Sequence, residues 1–254
     1  AVTDATMEEK KRGWLRGPFT PQQLTGMLGL WVPCRRFGIY QGSGIRVIDD
    51  YSENGQNQCL TTHEKVDVGG VDTVAATTKA MLQAVRLSDG VVEVTLSEGT
   101  VRSASLHWSW TGFSSKQLVA KLWDLEKAYR QLVHNPAQSS VTVVASWNHT
   151  SKQVEYFIQD VLPFGATGAV YGFNWTARAL WWVMVHGLGL VCTHYFDDFY
   201  VVSTGYMAQT TQSLVDDLFA LLGWSVKAQK CFDSRCDVLG VVTDLTESVS
   251  DRFS

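Results

Sequence analysis

The sequence predicts an α+β protein, and three observations carry that prediction. Several pairs of β-branched and aromatic segments are joined by short polar or glycine turns, the signature of hairpins: residues 35–50 about Gly42-Ser43-Gly44, residues 141–146 with 154–159, and residues 191–203 about Asp197-Asp198. Separate stretches, residues 71–87, 169–190 and 207–222, carry helical apolar signals. The 254 residues are 45% hydrophobic, enough to bury the core of one large domain or of two subdomains.

Composition narrows the function classes. With 21 basic and 25 acidic residues, net charge −4, there is no global electrostatic sign of nucleic acid, so any such function has to rest on local cations. The five cysteines, Cys34, Cys59, Cys192, Cys231 and Cys236, are odd in number and form no Cys-x-x-Cys pair. That argues against a disulfide framework or a zinc ribbon and for an intracellular protein, in cytoplasm or nucleus, that is not secreted. The N-terminus has no signal-peptide core, and the longest apolar run, residues 179–192, is too short to span a bilayer and carries His186. No membrane partner is expected. The chain starts without Met and ends shortly after an apolar strand signal, so it is expected to be a fragment of something longer.

Taken in order, residues 7–14 predict a helix stopped by Gly17-Pro18. Thr20, Pro21 and Gln23 have the N-cap, first-turn and N3 pattern of a short helix through Leu28. The hairpin of residues 35–50 carries Arg35 and Arg36 in one arm and Arg46 in the other, cations that grip phosphate or lie on an ordinary surface. Residues 51–59 are polar loop. Residues 71–87 predict a helix with a broad apolar face from Val71, Val74, Ala75, Ala80, Met81, Ala84 and Val85. A further hairpin, residues 91–96 and 100–106, has no chemistry attached to it.

An apolar strand then runs into Asp124, and helix formers follow from Glu126 to Leu132. At such a boundary the carboxylate points into a cleft or caps the helix. Residues 162–168 form a tight loop in which Gly165 and Gly168 permit close approach of a ligand or simply a turn. A long apolar helix follows over residues 169–190. Residues 207–222 predict an amphipathic helix ended by Gly223. The polar segment from Lys227 to Lys230 leads to one strand, residues 238–242.

Two adjacent aspartates are poor strand residues, so Asp197 and Asp198 belong at the turn of their hairpin. Crowded carboxylates are unfavourable without a cation, which points to a divalent metal; the alternative is a solvated Asp-Asp turn. Neighbours on a strand face opposite sides, so the two are not equivalent. One of them is expected to bridge metal with Asp124, and the other to play the weaker part.

In this order the segments resemble a known family, the reverse transcriptases, over roughly Lys10 to Asp244. Gly13-Trp-Leu-Arg-Gly-Pro-Phe19 is similar to the opening segment of DIRS-like retroelement polymerases. Arg46-Val-Ile-Asp-Asp50 resembles the fingers motif and Asp124-Leu-Glu-Lys-Ala-Tyr129 the first palm motif. Leu162-Pro-Phe-Gly165 resembles the glycine loop, Tyr195-Phe-Asp-Asp198 the tyrosine-x-aspartate-aspartate signature, and Lys230 with Val238-Leu-Gly240 the later palm motifs.

The resemblance implies a polymerase right hand of fingers and palm, the palm an antiparallel sheet with packed helices in a ferredoxin-like core. Residues 1–117 would be N-terminal region and fingers, with a hairpin insertion at 88–112, residues 118–134 palm, 135–165 fingers and 166–254 palm, with thumb and RNase H absent. Asp124, Asp197 and Asp198 would be catalytic and bind two Mg2+ ions, Asp124 and Asp197 holding them and Asp198 assisting. Arg46 would contact the triphosphate, Tyr129 would exclude a 2′-hydroxyl, Phe164 and Gly165 would border the nucleotide, and Lys230 would lie near the leaving group. The implied partners are an RNA or DNA template with primer, and dNTPs. Arg36 is a doubtful second phosphate contact, and Arg130 is expected to be structural. The insertion and the acidic net charge depart from the family pattern. Two rivals follow: a catalytically inactive nucleic-acid-binding relic, and an RNA-templated RNA polymerase, against which Tyr129 argues.

Overall fold

The structure is a computed structural model describing residues 1–42, 44–59, 64–66, 68–86, 91–95, 98–105, 117–228 and 231–246. It is mixed α and β and divides into two compact units, residues 1–66 with 127–176 and residues 67–126 with 177–254. The divisions expected from sequence stood at 117/118, 134/135 and 165/166.

The first unit is built on a five-stranded sheet. Its strands are β1 (Leu15–Phe19), β2 (Pro33–Gln41), β3 (Gly44–Asp50), and the pair homologous in position to the predicted 141–159 hairpin, which is β7 (Val143–Asn148) and β8 (Gln153–Gln159). They lie in the order β1-β8-β7-β2-β3, antiparallel except for β2 beside β7. Leu24, Val143 and Ile158 are fully buried at its core beneath Trp31 and Tyr156. Helix α2 (Pro21–Leu28) begins as the sequence predicts: Gln23 N–H donates to Thr20 Oγ1 at 3.2 Å and Thr20 N–H to Gln23 Oε1 at 2.8 Å. Helix α1 is displaced from its prediction. It spans Val2–Lys11, started by the Ala1 ammonium on Asp4 at 2.8 Å and stopped ahead of Gly13 at φ 75°.

A buried ionic network ties this unit together. Arg36, with a fully buried side chain, grips Asp49 through two bonds, Nε to Oδ1 at 2.7 Å and Nη2 to Oδ2 at 2.9 Å, and reaches Glu9 of α1 at 2.8 Å. Arg130 joins the same two carboxylates at 3.3 and 3.4 Å, and Gln159 donates to Asp49 at 2.7 Å. Arg36 is therefore an internal counter-charge rather than a phosphate contact, and Arg130 is structural as expected.

The second unit holds a three-stranded antiparallel sheet of β6 (Leu118–Asp124), β9 (Val191–Tyr195) and β10 (Asp198–Thr204), ordered β6-β10-β9. Where a ferredoxin-like core has a fourth strand, the described residues give an isolated pairing, Ala120 with Asp233, beside β6. Leu118, Ala120, Tyr200 and Val202 on one face pack with Val74 and Met81 of α3 (Val71–Arg86), and Thr78 Oγ1 lies 3.1 Å from Tyr200 Oη. These contacts place α3 with the sheet. Its apolar face is narrower than predicted, because Val71, Ala75 and Ala80 are exposed. The hairpin β4 (Val91–Thr95) and β5 (Val101–Ser105) is present; Leu96 and Leu106 lie outside the described residues.

Three further predictions are adjusted. Helix α4 (Thr167–Trp182), which starts in the first unit and ends in the second, gives way to a single π-helical segment, Val183–Gly187, instead of running to Leu190. Helix α5 (Ala208–Leu221) ends before Gly223 at φ 77°. The predicted strand 238–242 is a hairpin, β11 (Arg235–Val238) and β12 (Val241–Asp244), because Leu239 and Gly240 both take positive φ, the signature of a I′ turn. Among the described residues, no helix is long and apolar enough to cross a membrane.

The ionic network makes a prediction. Burial alone would raise the Asp49 carboxyl, but Arg36, with Arg130 and Gln159, outweighs it and holds the carboxyl below its ordinary range. Such a group contributes stability that is full above its unfolded value of about 4 and is lost as pH falls through the folded value. Arg36→Met removes the two-bond partner of Asp49 and leaves Arg130 as the one cation shared by Asp49 and Glu9 among the ion pairs described, so urea denaturation is expected to show a loss of about 3–5 kcal/mol at pH 7. The loss should narrow as acid protonates the two carboxylates.

Candidate active site

The three aspartates come together through strand register. In the β6-β10 ladder Asp198 pairs directly with Asp124, and on its other side with Tyr195. Asp197 occupies the two-residue turn between Tyr195 and Asp198, and its carbonyl accepts from Leu125 N–H at 3.1 Å. The turn has positive φ at its first residue alone, Phe196 at 50°, the pattern of a II′ turn with an aromatic where glycine is usual. The backbone of Phe196 is held at a positive φ that costs about 1 kcal/mol.

Like charges directly opposite on a ladder repel, and the acidities record it. Burial first, then Asp124 and Asp197, pushes the Asp198 carboxyl up to about 6. Burial first, and Asp124 after it, also raises Asp197. One cation answers them. Lys227 Nζ lies 2.5 Å from Asp124 Oδ2, and this bond raises the Lys227 pKa. Lys227 sits in the polar segment noted in the sequence, and the pairing of Val226 with Leu125 brings it to Asp124. Lys230, expected near the leaving group, lies outside the described residues.

The donor chemistry suits a hard divalent ion, three carboxylates of which Asp197 and Asp198 are raised, beside a stand-in ammonium. The spacing is another matter: among the described residues, no group of three His, Cys, Asp or Glu side chains is gathered closely enough to hold an ion. The register also gives Asp198, rather than Asp197, the place opposite Asp124.

In the first unit, three expected nucleotide contacts touch one another. Residue 129 lies in the short 3-10 helix Ala128–Gln131 that stands in place of the predicted α-helix. The Tyr129 ring stacks on Phe173 at 4.7 Å and meets Phe164 edge-on at 5.5 Å. The Arg46 guanidinium lies 5.1 Å from the Phe164 ring, on an exposed part of β3. Gly165 has an internal reason to be glycine. Its φ is 105°, and a Cβ there would stand 2.7 Å from the Asp49 carbonyl oxygen. A cavity of about 710 Å3 in this unit is lined by Leu162, Pro163 and Ala166 of the glycine loop with Tyr51 and Trp175, but not by Arg46, Tyr129, Phe164 or Gly165. The enclosed space is thus not the one those four residues border.

Neither a protein-family model nor a curated protein matches the chain.

The raised Asp198 carboxyl fixes a sign. An acid that is weaker folded than unfolded costs stability when ionised, and the cost is relieved as pH falls through about 6. Asp198→Asn is therefore expected to raise stability at pH 7 by about 1 kcal/mol, allowing for partial solvent screening. Thermal unfolding should show the gain shrinking toward pH 4.

Proposed function

We propose that the chain is the fingers and palm of an RNA-directed DNA polymerase, joining dNTPs to a primer 3′-hydroxyl on an RNA or DNA template with loss of pyrophosphate. The observation that carries this reading is the convergence of Asp124, Asp197 and Asp198 from two adjacent strands and the turn beside them. The family resemblance supplies its substrates. Two Mg2+ ions bound there would neutralise the triphosphate and lower the pKa of the attacking hydroxyl.

The chain's own residues take the remaining parts. Asp124, Asp197 and Asp198 present oxygen ligands of the kind Mg2+ selects. Arg46 offers a planar fork to triphosphate oxygens. Tyr129, braced by Phe173 and Phe164, is a rigid ring suited to exclude a 2′-hydroxyl. Phe164 and Gly165 would border the base and sugar, and Lys230 would meet the leaving group.

A second reading is a nucleic-acid-binding relic without catalysis, favoured by the ungathered carboxylates. Magnesium-dependent extension of a DNA primer on an RNA template separates the two. Extension with dNTPs is expected, and loss of it to background in Asp124→Asn and in Asp197→Asn. Template binding without extension supports the relic. Tyr129→Ala is expected to raise rNTP use relative to dNTP use by at least about tenfold; extension with rNTPs as efficient as with dNTPs by the unaltered chain would indicate an RNA polymerase.

A further inference from the structure

Asp124 is the carboxylate on which the site turns, and the chain brings a cation to it by design of its backbone. Lys227 N–H donates to the Asp124 carbonyl at 2.9 Å, and Glu126 N–H donates to the Ser225 carbonyl at 2.9 Å. Leu125 and Val226 form an antiparallel bridge between these bonds. Residues 225–227 thus run as a short rail along residues 124–126, and the Lys227 ammonium is delivered to Asp124 Oδ2 at 2.5 Å. These two backbone bonds hold the lysine's Cα in place, while its four-carbon stem leaves the ammonium free to swing.

We propose that Lys227 and a divalent cation compete for the same carboxylate oxygen of Asp124, so that Lys227 sets the affinity and selectivity of the aspartate cluster for metal. The inference rests on the two-metal reading above. Its logic is electrostatic. The lysine side chain is 53% exposed and Asp124 32% exposed, and an ion pair with that much solvent exchanges readily. A dication facing three carboxylates gains twice the charge of an ammonium facing one. Displacement also releases Asp124 from the bond that engages it, which permits it to gather with Asp197 and Asp198; the same three side chains are not gathered while Lys227 holds Asp124. An ammonium on a rail is then a threshold device: weakly binding monovalent ions fail to dislodge it, and a divalent ion succeeds. Arginine in its place would be a stronger competitor, because its fork binds a carboxylate through two bonds.

The test is Mn2+ titrated into the full chain and into Lys227→Met and Lys227→Arg, with binding read by water-proton relaxation instead of by activity. Lys227→Met is expected to bind Mn2+ about five- to tenfold more tightly than the unaltered chain, and Lys227→Arg no more tightly than it. Lys227→Gln serves in the same comparison should the methionine variant fail to fold. In the unaltered chain, acetic anhydride labelling of Lys227, followed by peptide mass spectrometry, is expected to rise several-fold on saturation with Mn2+. Saturable binding that Asp124→Asn abolishes but that is equal in Lys227→Met and the unaltered chain overturns the competition and leaves the carboxylate site standing. Absence of saturable Mn2+ binding in every chain overturns the two-metal reading itself.

Discussion

The register of β10 against β6 governs the second unit. Seven successive pairs, from Asp198 with Asp124 to Thr204 with Leu118, are set by the side chains that meet α3 on one face, among them Leu118, Ala120, Tyr200 and Val202. A slip of β10 by one residue would turn Tyr200 and Val202 outward and carry Phe199, which shares the opposite face with Trp123, to the α3 side. Both are fully buried, and Trp123 Nε1 donates to Asp216 at 2.7 Å. Hydrophobic packing therefore holds two like charges opposite each other, against their repulsion. The core at one end of the ladder is what makes a cation useful at the other.

The first unit solves a different electrostatic problem. Buried Arg36 and Asp49 with partly buried Arg130 and Glu9 make a four-charge set that anchors α1, β2, β3 and the segment after Asp124. The carbonyl of Asp49 is also what Gly165 abuts, so the glycine loop is positioned by the residue that the buried arginines fix. Arg46, three pairs further along the hairpin than Asp49 and exposed, is left to the surface with Phe164. Within one hairpin the sheet's alternation separates an arginine that stabilises from one that is available to a ligand.

Much of this was legible in the sequence where local chemistry decides it. The Thr20-Pro21-Gln23 cap, the Gly42-Ser43-Gly44 hairpin and the Gly223 helix end each follow from residue type at a fixed position. Tertiary pairing was not legible. Nothing local to residues 224–227 announces a strand partner or the bond from Lys227 to Asp124, and nothing local to Arg36 announces Glu9 across the unit. Turn chemistry with a non-glycine residue at positive φ was missed at Leu239, and it merged two short strands into one. The hairpin turn was legible at the aspartate pair, but only Asp197 lies in it; Asp198 opens the ladder, so strand alternation does not govern how the two differ.

The central claim is that Asp124, Asp197 and Asp198 form one divalent-metal site. Crystals of the chain soaked in Mn2+ and measured at the manganese absorption edge address it directly. The account predicts an anomalous peak within coordination distance, about 2.0–2.3 Å, of Asp124 and of at least one of Asp197 and Asp198. Manganese bound elsewhere, with Lys227 still on Asp124 and no peak between the two strands, would contradict it.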